Sequence, residues 1–220
     1  MLRVLIIGAG GHAQVVADIL FQAQKHGAEV DVVGYLDDNP ALHGRELLGR
    51  PVWGGIDMLD RVPHDGVIVA IGDNATRARL FAWLKQREER LINAIHPAAT
   101  IAPHVQLGEG VMIAAGVVVN TGTIIGHNVI LNTGCTVDHH NRIEDHVHIA
   151  PGAHLGGDVS IGEGTLVGLG ALVLPQRQIG AWTVVGAGAV VTRSLPSRVV
   201  AVGVPARIIK AHLQQGPLGG

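Results

Sequence analysis

Aliphatic residues recur at every sixth position through the C-terminal half of the chain, from Ile95 to Val191, and define seventeen consecutive hexads without a slip. Position five of each hexad is usually small or β-branched, and position two is often glycine. A six-residue repeat is the sequence signature of a parallel β-helix, whose stacked coils hydrogen-bond as strands do. Three hexads make one triangular coil, so the repeat predicts between five and six coils with the aliphatic residues pointing inward.

Strand and helix patterns alternate through the first ninety or so residues, which favours a parallel α/β sheet. The predicted elements are strands over 2–7, 30–36, 66–71 and 91–94 and helices over 12–25 and 75–90. The sequence therefore predicts an α/β nucleotide-binding domain at 1–94 that is one Rossmann-like half, a β-helix at 95–200 and a C-terminal tail at 201–220.

Small residues dominate the composition. Apolar residues make up 47% of the 220 residues, but aromatic residues make up only 3%, which suits a core built from small, regular layers. Charged residues make up 15% and the formal net charge is −2, so the chain lacks the basic face that nucleic-acid binding requires. We expect no nucleic-acid partner.

Compartment signals point to the cytoplasm. Residues 1–20 do not resemble a signal peptide, and no apolar stretch approaches the ~18 residues that span a membrane. Cys135 is the only cysteine, so an internal disulfide is impossible. Cys135 stands at an inward position of its hexad, and we expect a small core residue there rather than a nucleophile.

A glycine-rich turn, Gly8-Ala9-Gly10-Gly11, lies between the first predicted strand and helix. Glycines at this place let a phosphate approach the backbone, and the helix N-terminus supplies N–H donors. We expect phosphates at Gly8, Gly10, Gly11 and His12, with the base or ribose near Asp37 and Asp38. The alternative is that these glycines only permit a tight turn.

An NAD-dependent oxidoreductase is the rival interpretation of this turn. The glycine spacing is not G-x-G-x-x-G, and the α/β portion is one nucleotide-binding half rather than two. Nothing downstream offers a hydride-transfer domain. We therefore prefer a site for a nucleotide-linked sugar.

Histidines are frequent, and two kinds of chemistry compete for them. Of the thirteen histidines, six lie in one 28-residue stretch of the repeat: His127, His139, His140, His146, His148 and His154. A three-histidine zinc site like that of γ-class carbonic anhydrase needs a pair five positions apart, and no two histidines here have that separation. We expect no metal.

General base catalysis is the other possibility, and it favours His139. Asn141 stands where its hexad should carry a small apolar residue, and rule-breaking inside a regular repeat marks functional places. His139 falls at a corner of that hexad, so its imidazole can project outward. Neutral imidazole, with a pKa near ~6.5, can accept a proton from an attacking amine near neutral pH.

Four motifs carry a resemblance to a known family. They are Ile7-Gly8-Ala9-Gly10-Gly11-His12-Ala13, Tyr35-Leu36-Asp37-Asp38, Val137-Asp138-His139-His140 and Gly203-Val204-Pro205-Ala206-Arg207. The chain resembles, from residue 1 to about 210, the hexapeptide-repeat acyltransferases that act on sugar nucleotides or on sialic acid. The resemblance implies a left-handed β-helix, acetyl-coenzyme A as co-substrate with no metal, and a homotrimer with the acetyl carrier in the groove between two helices.

The same resemblance implies roles for individual residues. His139 matches the catalytic histidine, and Asn132 matches a position that holds the sugar's amino group. Other matches are Gly72 and Asn74 in the nucleotide-sugar cleft, and His148, Leu169 and Ala187 against coenzyme A. The family usually has an acidic residue after the catalytic histidine, where this chain has His140.

Residues eighteen apart sit one coil apart, which adds two expectations. Gly157 should lie beside His139, where its N–H can stabilise the tetrahedral oxyanion of the reacting thioester. Leu169 and Ala187 are also eighteen apart, as a cofactor running along the axis requires. Arg207 and Lys210 follow the Gly-Val-Pro-Ala turn and can meet the phosphates of coenzyme A, although basic side chains near a C-terminus are more often solvated.

We predict an acetyl-coenzyme A-dependent N-acetyltransferase for glycan biosynthesis, such as that of lipopolysaccharide. Its acceptor is the amino group of a UDP-, GDP- or dTDP-linked amino-sugar, which attacks the thioester directly. The alternative within enzymes is O-acetylation of sialic acid or another sugar hydroxyl. A trimeric scaffold without catalysis is the alternative from another class, and the disturbed hexad at Asn141 argues against it.

Overall fold

The computed structural model describes residues 1–212, so residues 213–220 of the predicted tail lie outside the described residues. The N-terminal elements are β1 (Leu2–Ile7), α1 (Gly11–Lys25), β2 (Val30–Leu36), a 3₁₀ helix (Pro40–Leu42), β3 (Glu46–Leu47), β4 (Arg50–Gly54), a 3₁₀ helix (Ile56–Arg61), β5 (Gly66–Val69) and α2 (Asn74–Gln86). None of the helices within residues 1–212 is long and apolar enough to cross a membrane.

The N-terminal sheet has the strand order β3-β4-β2-β1-β5, and β3 alone runs antiparallel, in a short hairpin with β4. The continuous aliphatic run of β1 is buried because helices or coils cover both faces of a parallel sheet. The hairpin and the two 3₁₀ helices were not predicted, and the strand predicted over 91–94 contributes to this sheet only an isolated bridge between Leu91 and Val67. The second helix ends at Gln86 rather than residue 90, because Glu88 adopts a left-handed backbone with φ 59°.

Two-residue strands form the repeat. In chain order they are β6 (Ala94–Ile95), β7 (Thr100–Ile101), β8 (Gln106–Leu107), β9 (Met112–Ile113), β10 (Val118–Val119), β11 (Ile124–Ile125), β12 (Ile130–Leu131), β13 (Thr136–Val137), β14 (Arg142–Ile143), β15 (His148–Ile149), β16 (His154–Leu155), β17 (Ser160–Ile161), β18 (Leu166–Val167), β19 (Leu172–Val173), β20 (Gln178–Ile179), β21 (Val184–Val185), β22 (Val190–Val191), β23 (Val199–Val202) and β24 (Arg207–Ala211). The last two are longer and form an antiparallel pair that extends one sheet across the predicted boundary at residue 200.

The three faces of the β-helix are parallel sheets in which each strand pairs with those eighteen residues before and after it. Val137, for example, pairs with Val119 and Leu155. From Ile113 onward the repeated aliphatic residue of every hexad is at most 3% exposed, so the predicted inward register is confirmed. A second departure from the repeat is Arg177, whose Nε is buried at position five without a partner among the described residues.

Candidate active site

The corner after β13 is held from inside by Asn141. This side chain is 1% exposed, and its Nδ2 donates to the carbonyls of Asp138 at 2.7 Å and Gly156 at 2.9 Å. An amide in an apolar core is costly unless it is hydrogen-bonded. Asn141 therefore ties the backbone of its own corner to that of the next coil, and fixes both.

His139 projects from this corner into solvent and lies over Gly157 of the next coil. A Cβ added at Gly157 would come 2.5 Å from Nε2 of His139, a distance that no real side chain tolerates. The N–H of Gly157 has no hydrogen-bond partner within residues 1–212. The structure thus brings together an exposed imidazole and a backbone donor of the buried Gly157 that has no partner among residues 1–212.

His140 is the immediate neighbour of His139. The two Nδ1 atoms are 3.1 Å apart, and the ring centroids are 5.3 Å apart in an edge-on arrangement. Asp138 does not orient either ring, because its Oδ1 accepts from Asn120 Nδ2 and from the backbone N–H of His139, both at 2.8 Å. These hydrogen bonds lower the pKa of Asp138, with the one from Asn120 contributing most.

A second candidate region is a cavity of about 420 Å³ beyond the carboxyl ends of the N-terminal strands. Ligands bind at this edge of open parallel sheets. The lining residues are Ile7, Gly8, Leu36, Asp37, Asp38, Ile56, Ile71, Thr76, Arg79, Leu80 and Trp83. Sequence reasoning missed the contribution of α2, from Thr76 to Trp83, although the position of that helix directly after a strand was a usable signal.

The two predicted carboxylates in this cavity have different surroundings. Asp37 accepts from the backbone N–H of Ala9 at 2.7 Å and of Asn39 at 2.9 Å, so it holds the glycine-rich turn closed. Asp38 uses one oxygen to accept from the N–H of Ile56 at 2.9 Å, and it borders the same cavity. Gly8 has φ 114°, and a Cβ there would lie 2.8 Å from the carbonyl oxygen of Ala70, so the turn requires glycine.

Open space faces the start of α1. A Cβ added at Gly10 or Gly11 would meet no atom within 4 Å, which leaves the helix N-terminus accessible. His12, in contrast, points toward the β-helix, with its ring 6.4 Å from that of His148. Its Nε2 is buried without a hydrogen-bond partner among the described atoms.

Asn132, His148 and Asn74 lie where the two domains meet. Nδ2 of Asn132 is 3.2 Å from Nε2 of His148. Asn74 donates across the junction to the carbonyls of Gly164 at 3.0 Å and Thr165 at 3.3 Å, and it does not line the described cavity. The structure therefore places the predicted sugar-binding and cofactor-binding residues Asn132 and His148 together with His12 of the other domain.

Arg77 of α2 is the main link at this junction. It is 1% exposed and donates to the carbonyls of Asn128 at 3.2 Å and His146 at 2.7 Å in the β-helix, and to Ile71 and Gly72 in its own domain. Burial lowers the pKa of Arg77 to about 9. Gly72 thus enters the junction through its carbonyl.

Burial also acts on the histidines around Arg77. Desolvation first, and then the charge of Arg77, lower the pKa of His12 to about 4 and that of His148 to about 3. Desolvation likewise lowers the pKa of His146 to about 4. These three imidazoles are neutral near pH 7, and those of His146 and His148 form hydrogen bonds with Asn128 and Asn132.

The remaining predicted cofactor residues lie on another edge of the β-helix. Leu169 and Ala187 are exposed one coil apart at the corner that precedes the six-stranded sheet β22-β19-β16-β13-β10-β7, whereas His139 and Gly157 lie at the corner that follows it. Arg207 is exposed and donates to the carbonyl of Ala206. One chain therefore does not bring Leu169 and Ala187 next to His139.

Comparison with known proteins identifies relatives of both domains. The sequence profile of the PglD N-terminal domain matches residues 3–84. The UDP-N-acetylbacillosamine N-acetyltransferase of Bacillus subtilis is 38% identical over 115 residues, which is 51% of this chain and 51% of the relative. The matched segment thus spans about half the length of this curated relative.

Solved structures match nearly the whole chain. A variant of GDP-perosamine N-acetyltransferase from Caulobacter crescentus, in complex with CoA and GDP-perosamine, is 43% identical, with 94% of this chain and 96% of that one covered and a TM-score of 0.88. The acetyltransferase domain of PglB from Neisseria gonorrhoeae is 34% identical, covers 95% of this chain and 100% of that one, and has a TM-score of 0.87. The predicted α/β domain followed by a left-handed β-helix is confirmed.

Proposed function

Since the chain belongs to the nucleotide-sugar N-acetyltransferases that share the PglD-type N-terminal domain, we propose that it transfers the acetyl group of acetyl-coenzyme A to the amino group of a nucleotide-linked amino-sugar. The observation that carries this proposal is the seating of the exposed His139 ring over Gly157. A base and a backbone donor without a partner among residues 1–212 then lie side by side, which is what acyl transfer to an amine requires.

The reaction needs one proton acceptor and one oxyanion donor. As the amine nitrogen attacks the thioester carbonyl, a nitrogen–carbon bond forms and Nε2 of His139 accepts the amine proton. The N–H of Gly157 donates to the oxyanion of the tetrahedral intermediate. Collapse of that intermediate breaks the carbon–sulfur bond, and the imidazolium returns the proton to the departing thiolate of coenzyme A.

The nucleotide half of the acceptor belongs in the 420 Å³ cavity. Its phosphates approach the accessible N–H groups at Gly10 and Gly11 and the positive end of α1. Asp38 borders the cavity and has an unengaged oxygen for the ribose or base, while Asp37 keeps the turn in shape. Asn132, at the junction, is then placed to receive the sugar.

The proposal includes a homotrimer. Within one chain, Leu169 and Ala187 lie across a sheet from His139, so a coenzyme A that contacts all three requires a groove between two chains. Exposed apolar side chains at Leu172 and Leu174, 41% and 42% exposed, lie on that part of the surface and favour its burial in an assembly. A cytoplasmic location is part of the same proposal and agrees with the free thiol of Cys135.

The experiment measures release of the coenzyme A thiol from acetyl-coenzyme A with UDP-, GDP- and dTDP-linked 4-amino-sugars and free sialic acid as acceptors. We expect turnover of one amino-sugar and a fall of ~10²-fold or more in kcat for His139→Asn. His104→Asn is the matched control, an exposed corner histidine of the same β-helix. Turnover of sialic acid alone would reassign the enzyme to O-acetylation, and equal rates for both variants would remove His139 from the mechanism.

A further inference from the structure

His140 lies directly behind the proposed base. Two imidazole nitrogens 3.1 Å apart form a hydrogen bond only when one of them carries a proton and the other does not. Nε2 of His139 lies over Gly157 of the next coil and must be unprotonated to act as a base. The proton of neutral His139 is therefore on Nδ1, and it is donated to Nδ1 of His140.

Asp158 completes a cluster with the two rings. One carboxylate oxygen of Asp158 and one nitrogen from each of His139 and His140 all lie within 4.8 Å of one another. The other carboxylate near this corner, Asp138, is engaged by Asn120 and by backbone. Asp138 interacts with His139 electrostatically, but among the described residues it is Asp158 whose carboxylate clusters with both rings.

The backbone fixes the members of this cluster. His140 and Asp158 both occupy left-handed corner positions, each with φ 58°, one coil apart in the same column. The ring of His140 lies over Gly122 of the preceding coil, where a Cβ would come 2.6 Å from its Cδ2. The His139 ring lies over Gly157 of the following coil, so a glycine on each flanking coil leaves room for two imidazoles that meet edge-on.

We propose that His140 and Asp158 are positioning residues that hold His139 with its proton on Nδ1 and stabilise the imidazolium formed during acetyl transfer. The proposal rests on the proposed function of His139. His140 accepts the Nδ1–H hydrogen bond throughout, so the pair moves no proton beyond the one that Nε2 takes from the amine and returns to the thiolate. Asp158 lowers the energy of the positive charge through space.

The test measures kcat as a function of pH, with a chelator present so that no divalent cation organises the cluster. His140→Gly removes the ring at a backbone conformation that glycine prefers, and we expect kcat to fall about 10- to 100-fold, as for loss of other orienting partners. His104→Gly is the matched control, because His104 has φ 68° in the same column two coils earlier. His140→Asp returns an acceptor to the position, and we expect it to recover most of kcat.

Asp158→Asn separates electrostatic from structural effects, because Asn tolerates the same left-handed backbone. The active form of the enzyme carries an unprotonated base, and the carboxylate favours the protonated one. We therefore expect the acid limb of kcat in Asp158→Asn to move to lower pH by about half a unit, as one charge at this distance produces across a solvated surface.

Each outcome is decisive for one proposal. Wild-type kcat and an unmoved acid limb in both His140→Gly and Asp158→Asn would overturn the positioning roles while His139 remains the base. Loss of activity on chelator addition would overturn them in favour of a metal site. Absence of turnover by the wild type with every acceptor would overturn the proposed function itself.

Discussion

Two groups of histidines in this molecule differ in environment although they lie close in sequence. His139 and His140 are exposed at a corner, with their Nδ1 atoms 3.1 Å apart. His146 and His148, one corner later, face the N-terminal domain, where burial and Arg77 lower their pKa values to about 4 and about 3. Burial against the α/β domain therefore keeps His146 and His148 neutral near pH 7.

This difference assigns separate tasks to one residue type. The exposed pair gains reactivity from access to solvent and substrate, and contributes few buried contacts. His146 and His148 stay neutral at the domain junction and form hydrogen bonds there. Three changes at the domain junction test this difference: replacement of Arg77, protonation of the buried histidines, and loss of the exposed ion pair between Lys85 and Glu109.

Replacement of Arg77 should have the largest effect on the free energy of unfolding. Arg77→Met leaves the four carbonyls that Arg77 contacts without their donor, and we expect a loss of about 3–5 kcal/mol in the free energy of unfolding. Urea unfolding followed by circular dichroism measures it. Arg79→Met, an exposed arginine two residues along the same helix, is the control and should cost under about 0.5 kcal/mol. Similar midpoints for the two variants would contradict the role of Arg77 as a link.

Lowering the pH should have the second-largest effect on the free energy of unfolding. Histidines of the unfolded chain take up protons near pH ~6.5, whereas His12 and His146 of the folded chain do so only at about pH 4, and His148 at about pH 3. The free energy of unfolding is therefore fully present above pH ~6.5 and falls as the pH drops toward 4, by up to about 1.4 kcal/mol per pH unit for each histidine.

His148→Gln removes one of these titrations, and its unfolding free energy should depend less steeply on pH between 6 and 4.5. His154→Gln is the matched control from the exposed face of the same β-helix. Chemical unfolding at a series of pH values measures both slopes. An identical slope for wild type and His148→Gln would contradict this, because it would mean that His148 takes up its proton over the same pH range in the folded and the unfolded chain.

The rim of the junction should show the smallest effect. Lys85 of α2 and Glu109 of the β-helix form an ion pair at 2.7 Å across the domains, but the side chains are 48% and 47% exposed. An exposed pair contributes at most about 1 kcal/mol, and salt screens it. Lys85→Ala should thus cost roughly 0.5 kcal/mol at low salt and less at 0.5 M salt, in the same urea titration. A cost as large as that of Arg77→Met would show that the rim, not the buried cation, joins the domains.

The repeat was predictable from sequence because its rule is local. Each hexad carries its own inward aliphatic residue, and the eighteen-residue pairing of Val119, Val137 and Leu155 follows from counting. The stacking of Gly157 beside His139 follows from the same count. The strands and helices of the N-terminal sheet were predictable for the same reason, apart from the end of the second helix, the short hairpin and the expected strand at 91–94, of which only a bridge from Leu91 to Val67 forms in this sheet.

The domain junction was not predictable because its contacts join residues far apart in sequence. Arg77 and His146 are 69 residues apart, and no periodicity relates them. One signal was present: Arg77 shares the buried face of α2 with Phe81 and Leu84, and a cation on an apolar face requires buried acceptors. The position of Asp158 against His140 was likewise within reach of the eighteen-residue count. The catalytic and binding roles of these residues remain predictions.

Each coil of the β-helix contains eighteen residues, so equivalent positions recur once per coil. Insertion of one residue within a strand, where no loop absorbs it, would swap inward and outward positions in the coils that follow. Insertion of a complete coil would instead leave every corner intact and lengthen the rod by about 4.8 Å. The β-helix therefore lengthens without loss of register only in steps of one coil.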